Sequence, residues 1–271
     1  MAITFDRKVR VMRNIQGEYF FNSYLPTALR QAQTYAGPSG YVASLPQLAH
    51  GRTIAPFDDP VWTEWYTANS EELVGLTSQG HSIILAIHGG GVLSSPERSE
   101  RGYQERLTRI CDLKIEEPEF HSAVDGNVRD LPNFPVYSFT DFQRGIAGLP
   151  MRHGVILDFA TAQRTISGYQ DIDGLADNPL FIVRAGGAEQ AFAYLKRVKD
   201  RRGNTDRRGN KYSNMHPYTS STDPYQPEGR LLILGGSGDY GFGGGNGLGG
   251  SYNLGYDGRF VGVRDVGPLG A

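Results

Sequence analysis

The chain has 271 residues, a single cysteine (Cys111) and a formal net charge of −2. One cysteine excludes a disulfide scaffold and a cysteine-rich zinc site, and the near-neutral charge argues against general nucleic-acid affinity. No run approaches about 18 consecutive apolar residues, and the opening MAITFDRKVRVMRNIQGEYF lacks the apolar core of a secretory signal. The sequence therefore predicts a soluble cytoplasmic protein with no membrane partner. Its length suits one or two domains, and the expected arrangement is a single α/β domain over residues 1–271. Glycine is in excess, at 36 residues where about 19 would be usual.

In chain order, Val9 to Ile15 reads as a short strand and Tyr24 to Tyr35 as a helix closed by Gly37-Pro38. Val61 to Tyr66 carries both tryptophans, and the spacing of Trp62 and Trp65 suits one helical face. Glu71-Glu72, after Asn69-Ser70, reads as the charged first turn of a helix. The most informative unit begins at His81. Ile83 to Ile87 is a near-continuous apolar run, as expected of a strand buried on both faces. His88-Gly89-Gly90-Gly91 ends it, and Ser94-Ser95-Pro96-Glu97 then opens a helix, with Ser94 or Ser95 as its cap.

Further units look alike. Gly154 to Phe159 is an apolar strand, followed by the helix-compatible Ala160 to Thr165. Leu180 to Val183 reads as another strand, followed by Arg184-Ala185-Gly186-Gly187 and a helix in which Phe192, Leu195 and Lys199 share a face. Residues 200–229 read as a polar loop. They open with the tandem repeat DRRGNT and DRRGNK, and residues 196–211 hold eight Lys or Arg against two Asp. Leu231 to Leu234 is a further strand. It runs into residues 235–250, where ten of sixteen positions are glycine, and the strand pattern resumes over Arg259 to Arg264. Alternating strands and helices predict an α/β fold with a mostly parallel sheet, flanking helices, glycine-rich loops at the strand C-terminal ends and one long polar insertion. In such a sheet the ligand crevice lies outside those strand ends.

Three glycine-rich strand ends then form the expected site. Gly89, Gly90 and Gly91 let backbone N–H groups face a ligand at the start of a helix, which suits an anion or a developing oxyanion. Gly186 and Gly187 repeat the arrangement, with Arg184 as the anion clamp. His88 is the candidate acid or base, and Asp158, at the end of its strand, is a candidate base. The run His88-Gly89-Gly90-Gly91 resembles the oxyanion loop of the hormone-sensitive-lipase-like esterases of the α/β-hydrolase family. That resemblance implies a hydrolase whose glycine amides hold the oxygen of a tetrahedral intermediate. It covers about a dozen residues. The family's G-x-S-x-G elbow is absent; the nearest approach is Gly235-Gly236-Ser237-Gly238, followed by Asp239, which makes Ser237 the candidate nucleophile.

The expected function is an enzyme, a hydrolase or transferase, acting on a small anionic or acyl substrate. Two alternatives stand beside it. One is a non-catalytic protein that self-assembles or binds a partner, suggested by the glycine- and tyrosine-rich tract at 235–258, the basic loop and the absence of a complete catalytic set. The other is a nucleotide-binding regulatory module. A homo-oligomer and a small anionic ligand are the expected partners. The six histidines show no metal-ligand spacing, so no metal is assigned, and no cofactor can be named. As an enzyme, the chain should lose turnover on His88→Ala while keeping its stability within about 1–2 kcal/mol.

Overall fold

The computed structural model describes residues 15–104, 113–129, 131–164, 168–201, 212–215, 222–236, 247–250 and 257–265. Its strands are β1 (Ile15–Asn22), β2 (Tyr41–Val42), β3 (Tyr66–Leu76), β4 (Ser82–His88), β5 (Leu113–Lys114), β6 (Val136–Ser138), β7 (His153–Asp158), β8 (Gly168–Asp171), β9 (Tyr212–Met215), β10 (Glu228–Leu234), β11 (Leu248–Gly250) and β12 (Gly258–Asp265). Its helices are α1 (Leu25–Ala36), α2 (Leu45–Ile54), α3 (Pro60–Thr63), α4 (Pro96–Gln104), α5 (Glu117–Val124), α6 (Phe139–Arg144), α7 (Phe159–Gln163), α8 (Ile172–Leu175), α9 (Pro179–Ala185) and α10 (Ala188–Asp200).

The outermost strands of the described chain meet. β1 and β12 run antiparallel, with Ile15 opposite Asp265 and Asn22 opposite Gly258, and β2 extends this sheet on the far side of β12. The larger sheet has the order β11-β10-β3-β4-β7-β6, with β5 also beside β10, and β8 pairs with β9 separately. Both faces of the larger sheet are covered. Ala68, Ala86, Val155 and Leu232 pack with Leu45 and Leu48 of α2, Phe181 of α9 and Tyr194 of α10. On the other side, Leu73, Leu85, Ile87 and Leu231 pack with Leu25 and Leu29 of α1 and Phe120 of α5. Burial of each valine, leucine, isoleucine or phenylalanine among them contributes about 1.5–3 kcal/mol.

The expected parallel sheet is therefore corrected. In this sheet β11 with β10, β10 with β3, β3 with β4 and β4 with β7 pair antiparallel, and β6 with β7 pairs parallel. The apolar run of β4 had signalled burial on both faces, and that is what it has. Parallel sheets usually show such a run, but here helices cover an antiparallel sheet on both sides. Glycine-rich loops at a common set of strand C-termini fall with the parallel sheet.

Leu180–Val183 is also corrected: it lies within helix α9. Asn178 caps that helix, its side chain accepting from the Phe181 N–H, Pro179 opens it, and Gly186 ends it in the left-handed region at φ +91°. These are ordinary helix stop and start signals. Complete burial of Leu180, Phe181, Ile182 and Val183 had mimicked a central strand. In α10 the packed residues are Ala191, Tyr194, Leu195 and Val198, whereas Phe192 is 64% exposed. Trp62 is buried in α3, and Trp65 lies beyond that helix, so the two do not share a helical face. The strand expected at 9–15 is described only at Ile15, where β1 begins. The basic repeat at 200–211 lies outside the described residues beyond Arg201, as do Cys111 and positions 237–246 of the glycine-rich tract.

Candidate functional site

β3 carries Asn69-Ser70-Glu71-Glu72 through the centre of the sheet, not at the start of a helix. Alternation sends Ser70 and Glu72 to one face and Glu71 to the other. Ser70, Glu71 and Glu72 are all fully buried. A buried carboxylate is tolerated only when paired and hydrogen-bonded, and each glutamate finds a different solution.

Glu72 sits between two guanidinium groups. Arg184 of α9 donates from Nε to Oε1 at 2.7 Å and from Nη2 to Oε2 at 2.8 Å. Arg230 of β10 donates from Nη2 to Oε2 at 2.7 Å and from Nε at 3.2 Å. Burial pushes the Glu72 carboxyl up, but the two guanidiniums outweigh it and hold it at about 2. Arg184 also donates from Nη1 to the Leu248 carbonyl at 2.8 Å. One carboxylate thus ties α9, β3, β10 and β11 together.

Glu71 faces the turn after β4. Its oxygens accept from the Val92 and Leu93 N–H groups, both at 2.7 Å. Burial drives its pKa up to about 7, against the opposing pull of those two amides. The neighbouring amides are also engaged internally: Gly89 N–H donates to the Asn69 carbonyl at 2.9 Å and Gly91 N–H to Ser94 Oγ at 3.0 Å. The turn cradles a carboxyl group, and that group is the chain's own Glu71. A Cβ on Gly91 would collide with the Glu71 carboxylate. Gly91→Ala is accordingly expected to lower stability by about 1–3 kcal/mol, in the range of core overpacking. Urea unfolding checks this, and a loss below 0.5 kcal/mol, the ordinary scale for a surface change, would contradict it.

His88 lies on the Glu72 face. Its Nδ1 is 2.9 Å from Ser70 Oγ and its Nε2 is 3.0 Å from the Val183 carbonyl. Ser70 Oγ accepts from the Leu45 N–H at 2.9 Å, so the hydroxyl proton is free to go to Nδ1. The carbonyl at Nε2 can only accept, which places the ring proton there. The imidazole is then neutral with both nitrogens engaged. Burial first, and then the neighbouring His153, push its pKa down to about 3.

The expected site residues fall into separate places. His88 and Arg184 come together through α9, since His88 bonds the carbonyl of Val183, but both are wholly buried. Gly186 and Gly187 close α9, their N–H groups donating to the Val183 and Ile182 carbonyls at 3.0 and 2.9 Å. Asp158 is exposed and caps α7, its Oδ1 accepting from the Thr161 N–H at 2.9 Å. In the β4–β7 register His88 pairs with His153 and Ile83 with Asp158, so Asp158 lies about 17 Å along the strand from His88. Ser237 is outside the described residues. The described residues hold no group of three His, Cys, Asp or Glu side chains placed to share a metal ion. No helix among them is long and apolar enough to cross a membrane.

Sequence reasoning missed Glu71, Glu72 and Arg230 as a framework. The available signal was period two: Ser70-Glu72-Val74 and Asn69-Glu71-Leu73 interleave, and no turn residue separates the glutamates from the apolar pair that follows.

A second feature lies at the surface. Arg259 of β12 sits opposite Phe21 in the β1–β12 register. Its guanidinium lies 5.3 Å from the Trp65 ring, 5.4 Å from Phe21 and 5.7 Å from Tyr19, and it pairs with Glu64. Tyr19 and Phe21 are 40% and 49% exposed. Gly236 packs against the backbone of Thr63 and Glu64, and Gly235 N–H donates to the Gly247 carbonyl at 2.8 Å. Gly235, Gly236 and Gly247 therefore lie together beside this aromatic face.

No family model matches the chain, and no curated protein matches it. One solved structure is similar over nearly its whole length. It is described as the accommodation of massive sequence variation in Nanoarchaeota by the C-type lectin fold, and it is 26% identical with a TM-score of 0.67. The match covers 92% of this chain and 98% of that one. The architecture of this chain, with its paired outer strands and mixed, mainly antiparallel sheet, is similar to a C-type lectin fold and not to an α/β hydrolase. That finding overturns both the mostly parallel fold and the hydrolase resemblance.

Proposed function

We propose that this chain is a non-catalytic binding protein. A charge-locked core serves as its frame, and the surface around Tyr19, Phe21, Trp65 and Arg259 meets a partner protein. The observation that carries the reading is the Glu72–Arg184–Arg230 cluster. It fixes α9, β3, β10 and β11 from inside, while Tyr19, Phe21, Trp65 and Arg259 lie outside it, on β1, β12 and the approach to β3. Aromatic residues and arginine are the types that protein interfaces favour. The similar solved structure, described by its accommodation of sequence variation, supports a fold in which frame and surface are separable. Pairing of the outer strands supports one domain over residues 1–271, and a single cysteine suits a reducing cytoplasm.

The experiment substitutes the face and reads stability and association together. Tyr19→Ser and Phe21→Ser, singly and combined, are expected to change stability by no more than about 0.5–1 kcal/mol. The double variant should also lose at least tenfold in affinity for a protein partner isolated with the parent chain, and light scattering shows whether that partner is a second copy. Unfolding of the single variants, or full retention of binding by the double variant, would overturn the proposal.

A further inference from the structure

A cleft of about 660 Å³ lies between α4 and α5, and none of the residues of the aromatic face lines it. Nothing in the binding role proposed above uses it. Its volume suits a small organic molecule. Its walls mix apolar and charged groups: Val92, Pro118 and Val128 supply apolar surface, and Arg98 and Arg101 of α4, with Arg129, supply positive charge.

Arg98 is the informative residue. It is 8% exposed, and Glu119 and a backbone carbonyl take part of its guanidinium. Nε donates to Glu119 Oε1 at 3.0 Å, and Nη2 donates to the Lys114 carbonyl at 2.8 Å and to Glu119 Oε2 at 3.1 Å. Its Nη1 is buried with no hydrogen-bond partner among the described residues. A buried donor left unsatisfied is costly, and a guanidinium donor is best satisfied by an oxyanion. Arg101, one helical turn along on the same face, carries a second guanidinium on the cleft and is exposed.

We propose that this cleft binds a small organic carboxylate, held at its charged end by Arg98 Nη1 and Arg101 and along its body by Val92, Pro118 and Val128. Glu97, Glu116 and Glu119 line the same cleft. They repel a dianion more than a monoanion, which favours a carboxylate over a phosphate monoester. The Glu119 pairing also orients Arg98, because Nε and Nη2 are taken and Nη1 remains for the ligand.

Calorimetric titration of the full chain at low salt tests this, with benzoate as the probe, benzamide as its uncharged counterpart and phenyl phosphate as the dianion. Benzoate is expected to bind saturably, with a dissociation constant on the order of millimolar. Phenyl phosphate should bind more weakly and benzamide should give no saturable heat. Arg101→Gln, at an exposed position, should weaken benzoate at least tenfold with unchanged circular dichroism, and Arg98→Lys should do the same where it folds. The Phe21→Ser variant should bind benzoate as the parent does, which separates this site from the partner-binding face. Absence of saturable benzoate binding, equal binding of benzamide, tighter binding of phenyl phosphate, or indifference to Arg101→Gln would each overturn the proposal.

Discussion

Replacing Glu72 with alanine is expected to remove about 3–5 kcal/mol of folding stability, the usual penalty for breaking a buried ion pair from one side. Arg184 is fully buried and Arg230 nearly so, so neither guanidinium can recover its lost partner by turning to water. A domain of ordinary stability has about 5–15 kcal/mol in total, and the variant should therefore unfold at much lower urea or fail to accumulate. A companion variant makes the cause legible. With Glu72, Arg184 and Arg230 all replaced by apolar residues of similar size, most of the loss should return, because no uncompensated charge remains. A Glu72→Ala variant within 1 kcal/mol of the parent would show that the cluster does not fasten the sheet.

The second large effect belongs to His88. His88→Ala is expected to lower stability by about 3–5 kcal/mol, combining a cavity with the orphaning of Ser70 Oγ and the Val183 carbonyl. The catalytic expectation was the opposite: intact stability within about 1–2 kcal/mol and lost turnover. The two accounts separate on a single unfolding curve. A loss under 1 kcal/mol would remove His88 from the frame.

Much of the local structure is legible in the sequence, and the assembly of the pieces is not. The strand-turn-helix unit at His81 is present as β4, the glycine turn and α4, with Ser95 Oγ accepting from the Arg98 N–H at the helix start. The GVILDF strand and the helix after it are β7 and α7. Direction was lost because an apolar run reports burial on two faces and carries no sign for the neighbouring strand. Leu180 to Val183 shows the same limit. Four apolar residues fit a strand or a buried helix equally, and only Asn178-Pro179 and Gly186 break the tie.

The site was misplaced for a related reason. Glycine-rich turns with free-looking amides resemble anion sites, and the missing information was which acidic group. Glu71, seventeen residues before His88, fills the turn through a sheet register that the one-dimensional pattern does not encode. Arg184 was expected to clamp a ligand anion, and its guanidinium is paired instead with Glu72, on β3. Buried glutamates are rare, and Glu72 is held on a central strand by two arginines, Arg184 and Arg230, that lie far from it in sequence.

The charged and polar groups at the heart of the sheet fasten the protein internally, with His88 neutral between Ser70 and Val183. Nitrogen NMR of the imidazole across a pH titration reads this directly. A histidine with its folded pKa depressed below the unfolded value contributes stability that is present above about 6.5 and declines as pH falls toward about 3. The predicted result is a His88 ring that keeps its Nε2–H tautomer unchanged from pH 8 to pH 5. A ring that takes up its proton near pH 6.5, with the fold intact, would contradict the account.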